Sequence, residues 1–310
     1  MTSVFIDGSA GTTGLRIFER LENRSDIKLI KLPEELRKDS YARSDAINSA
    51  DIVFLCLPDD AAREAVNFIK NGNTAVIDTS TAHRVNPEWV YGFPEIRGGY
   101  DKIIKSKRIA NPGCHASGFI ALVTPLIDAG VLSTDMALSC FSITGYSGGG
   151  KKMIAEYESD ELPVLYKAPR QYGISQSHKH LPEMKQMSGI GMEPLFCPIV
   201  ADFYSGMEVT VPIFAKDIKA NVKDISEIYK AYYSKGLVSF ADGAEEGGFL
   251  SAAAFEGRDD MQISVHGNAD RIILVARYDN LGKGASGSAI QNMNILMGVD
   301  EKTGLVVGGL

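Results

Sequence analysis

The chain of 310 residues has no apolar run close to the roughly 18 residues that a membrane-spanning helix needs. It has no basic excess either, because 32 Lys and Arg face 39 Asp and Glu, for a net charge of −7. Proteins that bind nucleic acid usually carry the opposite excess. No basic stretch precedes the first strand pattern, so no signal peptide is predicted. We therefore expect a cytoplasmic protein that binds neither membranes nor nucleic acid.

Cysteine is scarce: the chain has four, with no Cys-x-x-Cys pair. This spacing fits neither a zinc site nor a disulfide framework, so we expect no metal. Cys56, Cys140 and Cys197 lie in apolar, strand-like runs typical of core residues. Cys114 differs, because it follows Asn-Pro-Gly and precedes the apolar run 119–123, which predicts a turn and then a helix. A helix N-terminus favours the thiolate, the nucleophilic form of cysteine.

Strand and helix patterns alternate with short links from residue 2 onward, which is typical of a doubly wound parallel sheet. The predicted strands of this part are 2–6, 27–32, 52–57 and 75–78, with a helix at 61–71. From about residue 134 the strands become longer, at 137–144, 195–201, 207–214, 261–267 and 271–277. Helices are predicted at 222–235 and 288–297. We therefore expect an α/β chain in which a Rossmann-type domain precedes an α+β domain with a mixed, largely antiparallel sheet.

A glycine-rich loop follows the first strand and opens a helix, which is the context of a dinucleotide-binding loop. Its residues are Gly8, Ser9, Ala10, Gly11, Thr12, Thr13 and Gly14. Glycines there let the backbone approach a pyrophosphate at the helix N-terminus; the alternative is a tight turn without a ligand. Four cations lie close to the end of the second strand: Lys31, Arg37, Lys38 and Arg43. They favour the 2′-phosphate of NADP over NAD, with solvated surface charges as the alternative.

Two further glycine-rich segments, 145–152 and 282–287, each contain lysine. Dense glycine is costly unless a ligand approaches the backbone, and the lysines favour an anionic ligand; flexible linkers are the alternative. We assign Ser147 and Lys151 to the substrate. The cofactor is assigned Gly148, Gly149, Asn280, Gly282, Lys283 and Gly284.

Two histidines, His178 and His180, lie in the motif Ser-His-Lys-His-Leu-Pro-Glu-Met. Imidazole titrates near neutral pH and is a natural partner for a cysteine nucleophile. In an extended segment the two side chains point the same way, so that one acts and the other supports it. His115 follows Cys114 but would face another direction on a helix, and His266 fits a structural strand residue.

Arg84 lies beyond the strand 75–78, at the edge where open α/β sheets bind ligands. Its guanidinium suits a phosphate or a carboxylate, with a surface salt bridge as the alternative. Ser80 lies in the same loop and is assigned to the cofactor.

Five motifs occur in order along the chain: GSAGTTG, ANPGC, GYSGGGKK, SHKHLPEM and DNLGKGASGSAIQNMNILMG. With them the chain resembles N-acetyl-gamma-glutamyl-phosphate reductase of arginine biosynthesis, in its short form (type 2), of the semialdehyde dehydrogenase superfamily. The resemblance runs from the first strand to the last helix. It implies an NADP-binding Rossmann domain of residues 1–113 and 280–310, and a catalytic α+β domain of residues 114–279. The second domain would also form the interface of a homo-oligomer, a dimer or a tetramer.

The resemblance further implies NADPH-dependent reduction of N-acetyl-L-glutamyl 5-phosphate to N-acetyl-L-glutamate 5-semialdehyde, through a cysteine thioester and with release of phosphate. The family's nucleophile maps onto Cys114 and its base onto the His178/His180 motif. We favour His180 as the base, with Glu183 as its orienting group and Asn111 near the oxyanion. Thr-Thr in the glycine loop and Ser-Thr-Ala-His-Arg at 80–84 depart from the commoner patterns of the family.

The alternatives are other acyl-phosphate reductases and two classes without this chemistry. Aspartate-semialdehyde dehydrogenase shares the chemistry, but the His-x-His-x-Pro-Glu pattern speaks against it. An aminoadipyl-phosphate reductase, which acts on a protein-carried substrate, would be supported by a basic substrate-domain face. A non-redox cysteine acyltransferase or thioesterase leaves the glycine loop without a role. A nucleotide-sensing regulator would bind the cofactor without turnover.

Overall fold

The structure, a computed structural model, describes residues 1–308. These residues form two compact units. The first unit comprises Met1–Pro112 and Ala285–Leu305, and the second comprises Gly113–Gly284 with the described residues from Val306 onward. Residues 280–284, grouped with the Rossmann domain above, therefore lie in the second unit.

The first unit contains a six-stranded, wholly parallel sheet. Its strands are β1 Thr2–Asp7, β2 Ile27–Ile30, β3 Ile52–Leu55, β4 Ala75–Asp78, β5 Val90–Tyr91 and β6 Arg108–Ala110, in the spatial order β2-β1-β3-β4-β6-β5. Its helices are α1 Thr12–Leu21, α2 Ser40–Ser49, α3 Asp59–Asn67, α4 Gly99–Ile104 and, from the end of the chain, α9 Gly287–Met297. The predicted doubly wound parallel sheet is confirmed.

Helices cover both faces of this sheet, as the continuous apolar runs of its central strands require. On one face, Ile17 of α1 and Ile290 of α9 pack in a core with Phe54 of β3. On the other face, Ile47 of α2 packs with Val53. Successive strand residues point to opposite faces, so both Val53 and Phe54 are buried.

The second unit contains a seven-stranded mixed sheet in the order β11-β12-β13-β10-β7-β9-β8. Its strands are β7 Ser139–Gly145, β8 Arg170–Gln171, β9 Leu195–Ala201, β10 Met207–Phe214, β11 Val238–Phe240, β12 Met261–Gly267 and β13 Arg271–Tyr278. Its helices are α5 Cys114–Asp128, α6 Gly150–Tyr157, α7 Leu181–Ser188 and α8 Val222–Tyr232. Four of the six strand pairings are antiparallel, which confirms the predicted mixed, largely antiparallel sheet.

Helix α5 is buried along most of its length and contains a proline. Pro125 lacks the N–H that would bond the carbonyl of Ala121. The Tyr233 hydroxyl donates to that carbonyl at 2.7 Å, and the Tyr229 hydroxyl donates to the carbonyl of Leu122 at 2.5 Å. Side chains at the end of α8 thus supply donors to the interrupted part of α5.

Some local structure differs from the sequence prediction. Helix α2 was not predicted; it overlaps the stretch 34–48, which is rich in charged residues, and its buried residues include Arg43, which breaks the apolar pattern. His178 and His180 were expected in an extended segment, and this was wrong. They lie in a turn, and His180 is the N-cap of α7 with helical φ and ψ of −84° and −12°.

Candidate active site

Cys114 is the first residue of α5, and Gly113 is its N-cap. The predicted helix start is confirmed, but the predicted turn is not: residues 111–113 are not assigned to a turn, and Gly113 is extended, with φ and ψ of −82° and 147°. Its side chain is half-buried. The carbonyl of Gly113 accepts the Ser117 N–H at 2.9 Å and the Ser117 hydroxyl at 3.0 Å, which closes the first turn. The first N–H groups of a helix have no acceptor within the helix, so this position favours a thiolate or an oxyanion.

A tyrosine hydroxyl is built into the first turn of α5. Tyr278 Oη donates to the carbonyl of Cys114 at 2.6 Å and accepts the N–H of Gly118 at 3.0 Å. In a regular helix these two backbone groups bond each other. A Cβ at Gly118 would lie 2.7 Å from Tyr278 Oη, so this close approach requires glycine.

Glu183 anchors the residue that precedes the cysteine. Its side chain is 1% exposed, and Oε1 accepts the N–H of Gly113 at 2.7 Å. Glu183 was predicted to orient His180, and that role stays a prediction; its bond to Gly113 positions the start of α5. The contact brings the first turn of α7 against the residue that precedes Cys114.

His178 and His180 lie side by side, with their ring centroids 4.9 Å apart. The backbone N–H of His180 donates to His178 Nδ1 at 3.3 Å, so a neutral His178 carries its proton on Nε2. Burial, and secondarily the charge of Lys179, lower the pKa of His178. His180 is 4% exposed.

His115 completes a cluster of three rings, which the sequence reasoning did not foresee. Its ring centroid lies 5.6 Å from that of His180 and 5.9 Å from that of His178. A residue next to the cysteine turns about 100° around the helix, and in the folded chain that direction leads to the turn before α7. The local pattern held no signal for this, because the other two histidines are more than 60 residues away in the chain.

The glycine-rich segment after β7 forms a 3₁₀ turn followed by α6. Ser147 is buried, and its Oγ accepts from Asn280 Nδ2 at 3.0 Å. A Cβ on Gly148 would lie 3.5 Å from the same nitrogen. Ser147, Gly148 and Asn280 are thus brought together, whereas the side chain of Lys151 is exposed on α6. Gly149 packs on the side chain of Met153, because a Cβ on Gly149 would lie 2.4 Å from the sulfur of Met153.

The second glycine-rich segment has packing reasons for its glycines. A Cβ on Gly282 would lie 1.9 Å from the carbonyl oxygen of Arg258, and one on Gly284 would lie 3.0 Å from Cβ of Cys114. Lys283 between them is 1% exposed. A buried ammonium needs polar partners, so this lysine is an internal charge and not a surface one.

In the loop 8–14 of the first unit, both the backbone conformation and the packing require glycine at position 8. Gly8 has a φ of +88°, and a Cβ there would lie 2.2 Å from the carbonyl oxygen of Cys56. Gly11 is the N-cap of α1, and Thr12 and Thr13 are its first residues. A cleft of about 840 Å³ opens at Gly8, Ser9 and Ala10.

Three of the predicted cations, Lys31, Arg37 and Lys38, line this cleft. Arg43 also reaches it, but its guanidinium forms an ion pair with Asp7 at 2.9 Å, and both residues are buried. Burial raises the pKa of Asp7, and the hydrogen bond from Arg43 acts in the opposite direction. Arg43, one of the four cations that the sequence offered to a 2′-phosphate, is therefore a paired internal charge and not a solvated surface one.

Arg84 and Asn111 are buried and in contact in the first unit. Arg84 Nε donates to the carbonyl of Asn111 at 3.0 Å, and Nη2 donates to that of Thr79 at 3.1 Å. The Asn111 amide donates to the carbonyl of Ala285 at 3.0 Å and accepts from Asn292 at 3.1 Å. Both side chains thus form hydrogen bonds with neighbouring residues at the carboxyl ends of β4 and β6.

A buried aspartate organises the loop after β4. Asp78 accepts both the N–H of Ser80 at 2.9 Å and its hydroxyl at 2.8 Å. His83 Nδ1 lies 2.6 Å from Asp78 Oδ2, and its ring stacks on Trp89 at 4.0 Å. Asp78 therefore fixes Ser80, whose assignment to the cofactor stays a prediction. The Asp78–His83 pair is an addition that the sequence did not suggest.

Residues 1–308 contain no group of three or more His, Cys, Asp or Glu side chains placed to hold a metal ion. Within the same residues, no helix has the length and apolar character to cross a membrane.

Family models match both units. Residues 3–103 match the semialdehyde dehydrogenase NAD-binding domain, and residues 114–280 match the semialdehyde dehydrogenase dimerisation domain. The chain therefore belongs to the semialdehyde dehydrogenase family.

Two relatives within this family are similar to the chain over almost its whole length. N-acetyl-gamma-glutamyl-phosphate reductase 2 of Nostoc sp. is 42% identical over 322 residues, covering 97% of this chain and 98% of the relative. N-acetyl-gamma-glutamyl-phosphate reductase of Brucella ovis is 42% identical over 305 residues, covering 95% and 98%. The resemblance inferred from the five motifs is confirmed.

Aspartate semialdehyde dehydrogenase II of Vibrio cholerae shares the fold at a TM-score of 0.74 and 16% identity, over 96% of this chain and 98% of that one. The aspartate semialdehyde dehydrogenase of Candida albicans gives 0.67 and 14%, over 96% and 99%.

Proposed function

We propose that this protein reduces N-acetyl-L-glutamyl 5-phosphate to N-acetyl-L-glutamate 5-semialdehyde, with NADPH as reductant and inorganic phosphate as the other product. The observation that carries the proposal is Cys114 at the N-terminus of α5, anchored through Gly113 and followed by His115, whose ring lies in a cluster with those of His178 and His180. Relatives that are 42% identical over almost the whole chain carry the name of this reaction.

The chemistry begins with removal of the Cys114 proton by His180, which leaves a thiolate at the helix N-terminus. The thiolate attacks the acyl carbon, and backbone N–H groups at the start of α5 stabilise the oxyanion. The C–S bond forms and the C–O bond to phosphate breaks, which gives a thioester and inorganic phosphate. After reduction, protonated His180 gives its proton back as the thiohemiacetal collapses to aldehyde and thiol. His178 and Glu183 hold His180 and the loop before Cys114 in place.

The residues of the glycine loop fit a dinucleotide. Gly8 leaves no room for a side chain, and a cleft with Lys31, Arg37 and Lys38 on its wall adjoins the loop. These three cations favour the 2′-phosphate of NADP. When bound, NADPH supplies the hydride that reduces the thioester.

The remaining assignments are part of the same proposal. Gly8, Ser9, Ala10, Gly11, Thr12, Thr13, Gly14, Ser80, Gly148, Gly149, Asn280, Gly282, Lys283 and Gly284 contact the cofactor. Arg84, Ser147 and Lys151 contact the substrate, and Asn111 supports the oxyanion region.

We also propose that the protein is a homodimer through the open face of the second unit's sheet. Phe141, Leu195 and Phe214 project from three of its strands and are 43%, 56% and 58% exposed. Neighbouring apolar side chains exposed on one sheet face are typical of a protein interface. The matched family model is described as a dimerisation domain.

The proposal is tested in the reverse direction, with phosphate, an oxidised cofactor and a panel of semialdehydes. N-acetylglutamate 5-semialdehyde with NADP should give phosphate-dependent formation of reduced cofactor. Faster turnover of aspartate or aminoadipate semialdehyde, a preference for NAD, or the absence of turnover would overturn the assignment. Cys114→Ser should lose activity by several orders of magnitude.

Cys56→Ser is the matched control for the cysteine. Burial raises the pKa of Cys56 to about 12, so it remains a thiol at neutral pH. Its replacement should leave turnover unchanged. Activity that survives Cys114→Ser would exclude the thioester.

A further inference from the structure

Three consecutive peptide groups around Cys114 are each held by a hydrogen bond. The N–H of Gly113 donates to Glu183 Oε1 at 2.7 Å. The carbonyl of Gly113 accepts the N–H and the hydroxyl of Ser117, and the carbonyl of Cys114 accepts the Tyr278 hydroxyl at 2.6 Å. Ser117 and Glu183 lie on helices, whereas Tyr278 is the last residue of strand β13. The peptide group that follows the cysteine is therefore anchored to the sheet.

The Tyr278 hydroxyl has a well-fixed position. The side chain is 0% exposed, and Tyr278 pairs with Met207 of β10 on one side and with Met261 of β12 on the other. The next residue, Asp279, is also 0% exposed, and its carboxylate accepts four hydrogen bonds of 2.6 to 3.0 Å. The donors are the Ser205 hydroxyl and the N–H groups of Gly257, Leu281 and Gly282. Strand pairing and this carboxylate thus hold the tyrosine from both directions along the chain.

The direction of the Tyr278 hydroxyl bond follows from its two partners. The N–H of Gly118 can only donate, and it reaches Oη at 3.0 Å, so the tyrosine proton is directed to the carbonyl of Cys114. Burial raises the pKa of Tyr278 well above that of a free phenol, so the hydroxyl keeps this proton at neutral pH.

The bond orients more than the carbonyl that accepts it. The carbonyl of Cys114 and the N–H of His115 belong to one planar peptide group, so fixing the first also fixes the direction of the second. The N–H of His115 is among the first of α5, and such groups stabilise negative charge. Helix ends fray, and a nucleophile in the first turn would move with the fraying backbone.

We propose that Tyr278 is a positioning residue, which anchors the first turn of α5 to the sheet and so holds both Cys114 and the N–H of His115 in place for the reaction. This deepens the proposed function, since it rests on Cys114 as the nucleophile. The hydroxyl itself gives no proton to the substrate, because its proton is held by the carbonyl of Cys114.

The test is Tyr278→Phe, which keeps the ring and removes the hydroxyl. In the semialdehyde assay kcat should fall by roughly tenfold, because the nucleophile and an oxyanion donor are less well placed. KM should change by less than about twofold, since this hydroxyl makes no contact with the substrate. Alkylation of Cys114 by iodoacetamide without substrate, read by mass spectrometry of its peptide, should slow by about threefold at pH 7, because the thiolate is less stabilised.

Tyr229→Phe is the matched control. Its hydroxyl is also buried and donates to a carbonyl of α5, that of Leu122, further along the helix from Cys114. This variant should lower the denaturation midpoint about as much as Tyr278→Phe does, but it should leave kcat and the alkylation rate unchanged. Equal losses of kcat in the two variants, or an unchanged alkylation rate in Tyr278→Phe, would overturn the proposal. Alkylation needs no substrate, so failure of the semialdehyde panel alone would count against the proposed function and not against this inference.

Discussion

Gly14→Ala is expected to destabilise the first unit, because Gly14 packs on the backbone of its own loop. An added Cβ would lie 2.4 Å from the carbonyl oxygen of Gly8 and 3.0 Å from Cα of Ser9. Ordinary contact requires about 3.5 Å, so the loop would have to move by roughly 1 Å. Overpacking of this kind costs about 1–3 kcal/mol, and the higher helix propensity of alanine returns at most about 1 kcal/mol. We expect a net loss of about 1–2 kcal/mol in the free energy of unfolding.

Gly11→Ala is the matched control in the same loop. Gly11 has a φ of −73°, and a Cβ there would lie 3.4 Å from the Gly8 oxygen, which is an ordinary contact. Its stability should change by less than about 0.5 kcal/mol. If the loop holds a pyrophosphate, the methyl group should instead weaken NADPH binding by roughly tenfold, equivalent to about 1.4 kcal/mol.

The assay is urea denaturation followed by fluorescence, together with NADPH titration. Trp89 is the single tryptophan and lies in the first unit, so its emission follows the unfolding of that unit. Equal denaturation midpoints for Gly14→Ala and Gly11→Ala would refute the packing argument. Unchanged NADPH affinity in Gly11→Ala would refute the placement of the pyrophosphate.

Two further substitutions test the second unit. Tyr233→Phe removes the donor to the carbonyl of Ala121 and should lower the free energy of unfolding by about 1 kcal/mol. The measurement is circular dichroism during denaturation. An unchanged midpoint would mean that α5 does not need this donor. Phe214→Glu should convert the proposed dimer to a monomer, and light scattering should then give a mass of 33.5 kDa. The control is Tyr41→Glu in the first unit, where the side chain is 87% exposed, and it should leave the dimer intact. A dimer that survives Phe214→Glu would exclude this face.

Much of the fold could be predicted because its information is local. The buried runs of β3 and β4, the alternating strands of the second unit and the start of α5 each follow from neighbouring residues. Helix α2 was not predicted, because Arg43 on its buried face breaks the apolar pattern. Burial of this arginine is explained by its ion pair with Asp7, which lies 36 residues earlier in the chain.

The sequence by itself determined the parallel and mixed sheets, the glycine loop and the place of Cys114 at a helix start, because strands and helix starts form from adjacent residues. Only the tertiary structure placed His115 between Ser142 and Tyr172, which are 27 and 57 residues away, and Glu183 against Gly113 across 70 residues. The direction of a side chain on a helix is local. What stands in that direction depends on which other segments pack there, and the proton positions in the site depend on those partners.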